Sequence, residues 1–173
     1  MNTFKKLFFS CMILFSVAAC KKDDDGGDGG TAADGIMQAK IGGTSWMSAK
    51  ISTSAQYVSI GKSLNLLGTD ASGKAINIMI NNYDGSTGTW QIPNSIGLIG
   101  VVSSYTEVNL GGSSKTWAAP YSNSGVIGEV KISEFSKTGN VAGTFKFKAR
   151  NQNDNADFKD ITEGSFNIKV SSF

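Results

Sequence analysis

From Ile36 onward, apolar residues recur at every second position. Ile76, Ile78 and Ile80 alternate with Asn77, Met79 and Asn81, and Val130 and Ile132 alternate with Glu129, Lys131 and Ser133. Phe145, Phe147 and Ala149 alternate with Lys146, Lys148 and Arg150, and Phe166, Ile168 and Val170 with Asn167, Lys169 and Ser171. A period of two belongs to antiparallel strands with one dry face and one wet face. No stretch in this region sustains a helical period. Turn signals separate the runs: Gly42-Gly43, Asp70-Ala71-Ser72-Gly73, Asp84-Gly85, Gly111-Gly112, Thr138-Gly139-Asn140 and Glu163-Gly164. Their spacing suits an all-β sandwich or barrel.

Strands are expected near 36–41, 46–52, 55–61, 63–69, 74–82, 87–92, 100–109, 114–120, 126–135, 141–150, 157–161 and 164–172. Pro93 and Pro120 fall at strand ends, where a missing backbone donor does little harm. A single antiparallel sandwich leads. The alternative is a closed, lipocalin-like barrel with an internal apolar-ligand cavity. One hairpin register can be argued in advance. A turn centred on Thr138-Gly139 sets Val130 against Phe147, Ile132 against Phe145, Glu129 against Lys148, and Lys131 against Lys146. The last is a like-charge pair, which the other three outweigh.

The part before Ile36 reads differently. Lys5 and Lys6 open the chain, Leu7 to Ala19 is an apolar run of 13 residues, and small residues close it. That is a secretory leader; a membrane-spanning helix needs about 20 apolar residues. Val17-Ala18-Ala19-Cys20 resembles a bacterial lipobox, which implies cleavage between Ala19 and Cys20 and acylation of the Cys20 thiol. One acyl chain holds only marginally; the three of a mature lipoprotein make a lasting anchor. Lys21 to Asp34 has no bulky apolar side chain and reads as a tether. The expected division is therefore a signal peptide (1–19), a lipidated cysteine and tether (20–35) and an all-β domain (36–173). Lys22-Asp23-Asp24 resembles the acidic export tag of Bacteroidota lipoproteins, which implies the outer membrane and an outward-facing position.

Composition removes several function classes. Both cysteines, Cys11 and Cys20, belong to the leader or the anchor, and histidine is absent. Ser-His-Asp and Cys-His catalysis, His-ligated zinc and cysteine-based metal sites therefore have no residues to work with. Of 16 basic residues, Lys5 and Lys6 leave with the leader, so the mature chain balances 14 basic against 14 acidic residues. Arg150 is its one arginine, which disfavours nucleic acid as a partner.

Several segments taken together resemble a family of uncharacterised small lipoproteins of Bacteroidota. They are Gly43-Thr44-Ser45-Trp46, Leu66-Leu67-Gly68-Thr69-Asp70-Ala71-Ser72-Gly73, Gly88-Thr89-Trp90-Gln91-Ile92, Gly128-Glu129-Val130-Lys131-Ile132, Val141-Ala142-Gly143-Thr144-Phe145-Lys146-Phe147-Lys148-Ala149 and Thr162-Glu163-Gly164-Ser165-Phe166-Asn167. The resemblance implies an all-β domain behind a lipid anchor and carries no catalytic residue.

Candidate chemistry is sparse. Most of the domain's acids, among them Asp70, Glu107, Glu129 and Glu134, lie in expected turns or on wet faces; a carboxylate-dependent hydrolase is the less favoured reading, since no pair for glycoside hydrolysis stands out. A non-enzymatic protein without cofactor is the expectation. Asn151-Gln152-Asn153-Asp154-Asn155-Ala156-Asp157 offers alternating oxygens to calcium, or is simply a polar loop; the loop is favoured and no metal site is assigned. Trp46 and Trp90 read as core. Trp117 and Tyr121, beside Pro120, read as exposed aromatics on which a sugar ring can stack. Lys146, Lys148 and Arg150 read as a solvated stripe. The partners expected are a membrane through the acyl chains, and an extracellular glycan or a protein; the alternative is a lipid-like ligand inside a barrel.

Overall fold

The computed structural model describes residues 30–92, 100–109, 111–122 and 125–173. The leader, Ala19, Cys20 and Pro93 lie outside the described residues.

Eleven strands form one sheet. In chain order they are β1 (Ile36–Ile41), β2 (Thr44–Met47), β3 (Thr53–Val58), β4 (Ser63–Thr69), β5 (Ala75–Asn81), β6 (Gly88–Ile92), β7 (Val101–Glu107), β8 (Lys115–Ala119), β9 (Gly128–Phe135), β10 (Asn140–Asn151) and β11 (Phe158–Ser172). The only helical element among the described residues is a short 3₁₀ turn, Lys50–Ser52, where a longer second strand was expected. Spatial order runs β2-β1-β11-β3-β4-β5-β7-β8-β10-β9-β6, and β10 also pairs with β11. The architecture is a sandwich. One layer holds β6, β9, β10, β11, β1 and β2; the other holds β3, β4, β5, β7 and β8. Short pairings join the layers along both seams. Arg150 and Asn151 of β10 pair with Ala118 and Trp117 of β8. Val170 to Ser172 of β11 pair with Ala55 to Tyr57 of β3, in parallel, so the sheet is mixed rather than purely antiparallel.

The alternation does what its period requires. Ile76, Ile78, Ile80, Leu64, Leu66, Val130, Ile132, Phe145, Phe166 and Ile168 all bury their side chains between the layers. Each such aliphatic or aromatic side chain contributes about 1.5–3 kcal/mol relative to exposure. The interior is filled by rings and branched chains, Trp117, Tyr83, Tyr105 and Phe166 being the largest that are fully buried.

Two expectations need correction. Glu163-Gly164 does not turn the chain. β11 runs straight through it, and both neighbouring registers slip there, between Phe145 and Phe147 of β10 and between Gln38 and Lys40 of β1. Glu163 takes the left-handed conformation (φ 50°) and its carboxylate meets Lys40 Nζ at 2.7 Å. The pair is therefore a β-bulge that bends a 15-residue strand. The β9–β10 register also differs from the argued one. Val130 faces Phe145, Ile132 faces Gly143 and Lys131 faces Thr144: the pairing of Phe135 with Val141 beside the turn is already one residue from the argued register, and Ser133, bulging out of β9 between Glu134↔Ala142 and Ile132↔Gly143, adds the second. The observed slip keeps every phenylalanine inside. It also replaces the Lys131–Lys146 clash with a Glu129–Lys146 ion pair at 3.0 Å. Gly143 permits the close approach, since a Cβ there would overlap the Lys131 carbonyl and crowd Phe166.

The last residues read as tether are partly tied down. Ala32 is buried, and Asp34 bonds Lys50 Nζ (2.9 Å) and Asn140 Nδ2 (2.9 Å).

The sandwich has two distinct ends. At one, where β11 begins, lie the Asp70–Lys74 turn, residues 108–109 and 111–114, the 151–157 loop and the Gly42-Gly43 turn, whose Gly42 N–H donates to Asp160 O. At the other lie the 59–62 and 136–139 turns and Phe173, whose carbonyl accepts from Ser59.

Candidate functional site: a polar mouth at one end of the sandwich

Where β7, β8 and β11 reach the first end, their inward positions change character. On β7 the inward series Ser103, Tyr105 ends in Glu107; on β11 it begins with Lys159 before Ile161. The Tyr105 hydroxyl donates to Glu107 Oε1 at 2.8 Å, and Lys159 Nζ lies 3.8 Å from the same oxygen. The Lys159 ammonium also sits 4.9 Å above the Trp117 ring, and the Tyr105 and Trp117 rings pack with centroids 5.6 Å apart. The β4–β5 turn adds Asp70 and Lys74; β1 and β2 add Ile41, Thr44, Ser45 and Trp46. Together they wall a cleft of about 240 Å³.

The electrostatics fix which groups give and which accept. Burial, then the bond to Glu107, pushes the Tyr105 hydroxyl above the ordinary tyrosine range, so it keeps its proton at neutral pH. Burial works against a charge on Asp70, but bonds from Ser72 and Lys74 outweigh it and hold the carboxyl below its ordinary value. Asp70 Oδ1 accepts from Ser72 N (2.8 Å), Ser72 Oγ (2.8 Å) and Lys74 N (2.9 Å). The cleft thus brings two carboxylates together, which the sequence reading did not foresee. Asp70 is ionised and committed to its own turn, so it is no general acid. Glu107 is held by Tyr105 and Lys159. Fixed charges with an aromatic wall suit recognition of a polar ligand. Two indole donors close to the mouth, Trp46 Nε1 and Trp117 Nε1, are buried without a hydrogen-bond partner among the described residues.

Trp117 corrects an expectation. It is 2% exposed, because inward parity on β8 carries it under Lys159, and it offers no stacking face. Its indole N–H faces the Asp157 carboxylate without completing a hydrogen bond. That carboxyl is held low first by Asn151 Nδ2, which donates to it at 2.9 Å, and then by the indole. Tyr121 stays half-buried at the surface. Arg150 covers one side of its ring at 5.0 Å and Phe158 packs beside it at 5.7 Å. With Pro120, Asn151, Gln152 and Asn155 it lines a separate shallow hollow of about 230 Å³. The cationic stripe is engaged throughout, Lys146 with Glu129, Lys148 over Phe158 at 5.1 Å and Arg150 over Tyr121.

The Asn151–Asp157 oxygens serve their own loop. Asn151 Oδ1 accepts from Asn153 N and Asp154 Oδ1 from Ala156 N, both at 2.9 Å. Local turn chemistry accounts for this composition. Trp46 is buried and Trp90 packs partly buried against the core, as read. Tyr105, Glu107 and Lys159 were missed as site residues, though parity held the clue: Lys159 shares a face with Ile161, and Glu107 with Tyr105. Among the described residues no helix is long and apolar enough to cross a membrane.

No curated protein and no solved structure matches the chain. A family model described as a domain of unknown function, DUF6252, matches residues 33–169, which span ten of the eleven strands whole and most of the last. On that match the chain belongs to the DUF6252 family.

Proposed function

We propose that this protein is a non-enzymatic binding module held at the cell envelope by a lipid on Cys20, and that the polar mouth takes a hydroxyl-rich ligand of the glycan class. The observation that carries the ligand reading is the convergence of Lys159, Glu107, Tyr105, Asp70 and Lys74 beside Trp46 in one walled cleft. Sugars are recognised by fixed donors and acceptors next to an apolar ring. A lipid-like ligand inside a barrel draws less support, since large side chains fill the interior. The anchor rests on Val17-Ala18-Ala19-Cys20, and outward display on the acidic run that follows.

Trp46 and Trp117 flank the mouth, so intrinsic fluorescence reports on it. Titration of the purified chain with a panel of polysaccharides is expected to give a saturable shift for one glycan class. Glu107→Gln or Lys159→Met should weaken that response about tenfold, the weight of one charge-assisted hydrogen bond. Tyr121→Ala should leave it intact. Silence across the panel, or a response indifferent to both mouth variants, sinks the ligand reading. Cys20→Ala tests the anchor separately, because it prevents acylation and changes the mobility of the processed protein. Protease added to whole cells tests outward display, which full protection would rule out.

A further inference from the structure

The end opposite the mouth carries an apolar tip. Here Ile60 is 96% exposed and Phe173 71% exposed; Ile51, as exposed as Ile60, lies away from this tip, where Ala49 N–H donates to Thr69 O beside the Asp70–Lys74 turn. Ile60 and Phe173 are neighbours. The Ser59 amide and hydroxyl both donate to Phe173 O, at 3.1 and 3.0 Å, and the Phe173 amide donates to Tyr57 O at 3.0 Å. Val58 is exposed beside them. Isolated exposed apolar residues are ordinary, but a cluster at one tip asks for a cover. Two lysines lie near it, Lys62 with Asp84 close by. Lys62 follows Ile60, and Lys137 occupies the adjoining turn, whose carbonyl accepts from Ser172 Oγ at 2.9 Å.

The path of the chain says what the cover is. The described chain comes in on this half of the molecule. Asp34 bonds Asn140 at the foot of the 136–139 turn, and Gly35 N–H donates to Asn167 O at 2.7 Å. Nine residues lie between Cys20 and Gly30, ten steps along the chain with a reach of at most about 35 Å. A lipid on Cys20 therefore keeps this half of the domain within one domain's breadth of a bilayer.

We infer that the Val58–Ile60–Phe173 tip, with Lys62 and Lys137 around it, rests in the headgroup layer of the membrane that holds the lipid anchor, so that the polar mouth points away from the bilayer. Apolar side chains entering the acyl boundary, with lysines level with the phosphates, are the pattern of interfacial contact. The inference rests on the anchor reading above. It adds an orientation to it: a tethered domain without such a tip tumbles freely, whereas this one presents its cleft outward.

The test uses the processed, lipidated chain in vesicles of phosphatidylcholine with a minor share of phosphatidylglycerol, with and without brominated acyl chains. Two variants each add one tryptophan: Ile60→Trp at the tip and Val108→Trp at the mouth end, where Val108 is already exposed. Bromine near the headgroup boundary should quench the emission added at position 60 by about half, as for a ring roughly 5–10 Å deep, and leave that at position 108 unchanged. Flotation with the vesicles is read on the same samples. Protein that floats but shows equal quenching at both positions, or none at 60, overturns the docking and spares the anchor. Protein that does not float overturns the anchor and the docking with it.

Discussion

The two ends of this sandwich are built from the same alternating strands and finish in opposite ways. At the tip end, Tyr57, Tyr83, Trp90 and Phe135 meet edge to face, with centroids 5.1 to 6.0 Å apart, and Lys137 caps Tyr57 at 5.4 Å. At the mouth end, the inward positions are Glu107 and Lys159. Layers of a twisted sandwich splay apart at their ends, and the gap is closed either by large rings or by water and charge. Rings supply packing energy and leave nothing for a ligand to address. Charges supply little stability and leave the cleft addressable. The difference separates the residues that hold the fold from those offered for recognition.

The largest expected effect breaks the closed end. Tyr83 is fully buried, touches three other rings, and donates its hydroxyl to Ser86 O at 2.8 Å. Tyr83→Ala is expected to cost about 3–5 kcal/mol, the range for removing a buried ring, read as a lower midpoint in guanidinium unfolding. Tyr83→Phe keeps the ring and loses one hydrogen bond, about 1 kcal/mol. If Tyr83→Ala costs no more than a mouth substitution, the closed end is not the stabilising one.

The bulge in β11 gives the next effect. A Cβ at Gly164 would come within 2.5 Å of Phe145 O and 2.6 Å of the Phe145 ring. Gly164→Ala should cost about 1–3 kcal/mol through overpacking. Gly112→Ala, where the nearest atom is an ordinary 3.5 Å away, should be close to neutral in the same melt.

This bulge also shows where the sequence was legible and where it was not. The alternation placed most strands, because a period of two survives any register, but the strand expected at 46–52 meets only the last two residues of β2, and those expected at 157–161 and 164–172 are one strand. It could not distinguish a Glu-Gly turn from a Glu-Gly bulge, since both need a left-handed residue and a site without Cβ. It could not fix the β9–β10 register either. Sliding the pairing by two positions exchanges the dry-face partners but keeps the phenylalanines of β10 inside, so the two registers are told apart on the wet face, where the Glu129–Lys146 attraction marks the observed one. The mouth was missed for a related reason. Parity predicts which way Lys159 and Trp117 point, but an inward charge signals a site only once the strand ends and loops beside it are placed. Trp117 was judged by its proline-flanked neighbourhood when its alternation with Ala119 already placed it inside.

A smaller effect probes the mouth as structure. The Lys159 and Glu107 side chains are 31% and 29% exposed and their closest atoms are 3.8 Å apart. Such a pair contributes at most about 1 kcal/mol. Lys159→Met should therefore shift the unfolding midpoint slightly while removing a ligand contact. A loss comparable with that of Tyr83→Ala would make the mouth a structural ion pair and erase the contrast between the ends.

The smallest effect sets the two ends side by side under acid. Asp70 at the mouth end and Asp84 at the tip end both accept hydrogen bonds from their own turns, and both carboxyls lie below the ordinary 3.8 in the folded state. A carboxyl lowered by folding stabilises fully above 3.8, and that contribution is lost as pH falls through the lower folded value. Both turns should thus loosen together on the acid side of 3.8 if the carboxylates alone hold them. They are not held alike. Ser86, whose amide donates to Asp84 Oδ1, is also gripped through its carbonyl by the Tyr83 hydroxyl, and Tyr83 is locked among rings. The bonds around Ser72 and Lys74 converge on the Asp70 carboxylate, backed at the turn's base by the pairing of Asp70 N–H with Lys74 O. Amide exchange followed by NMR from about pH 5 to about pH 2 should therefore show Ser72 losing protection while Ser86 keeps it, once the intrinsic exchange rate is corrected for pH. Asp70→Asn should abolish the pH dependence at Ser72 alone, and Tyr83→Phe should make Ser86 behave like Ser72. If Ser72 and Ser86 open together in the unmodified chain, the ring cluster does not reach the turn beside it, and the closed end is only as firm as its carboxylate.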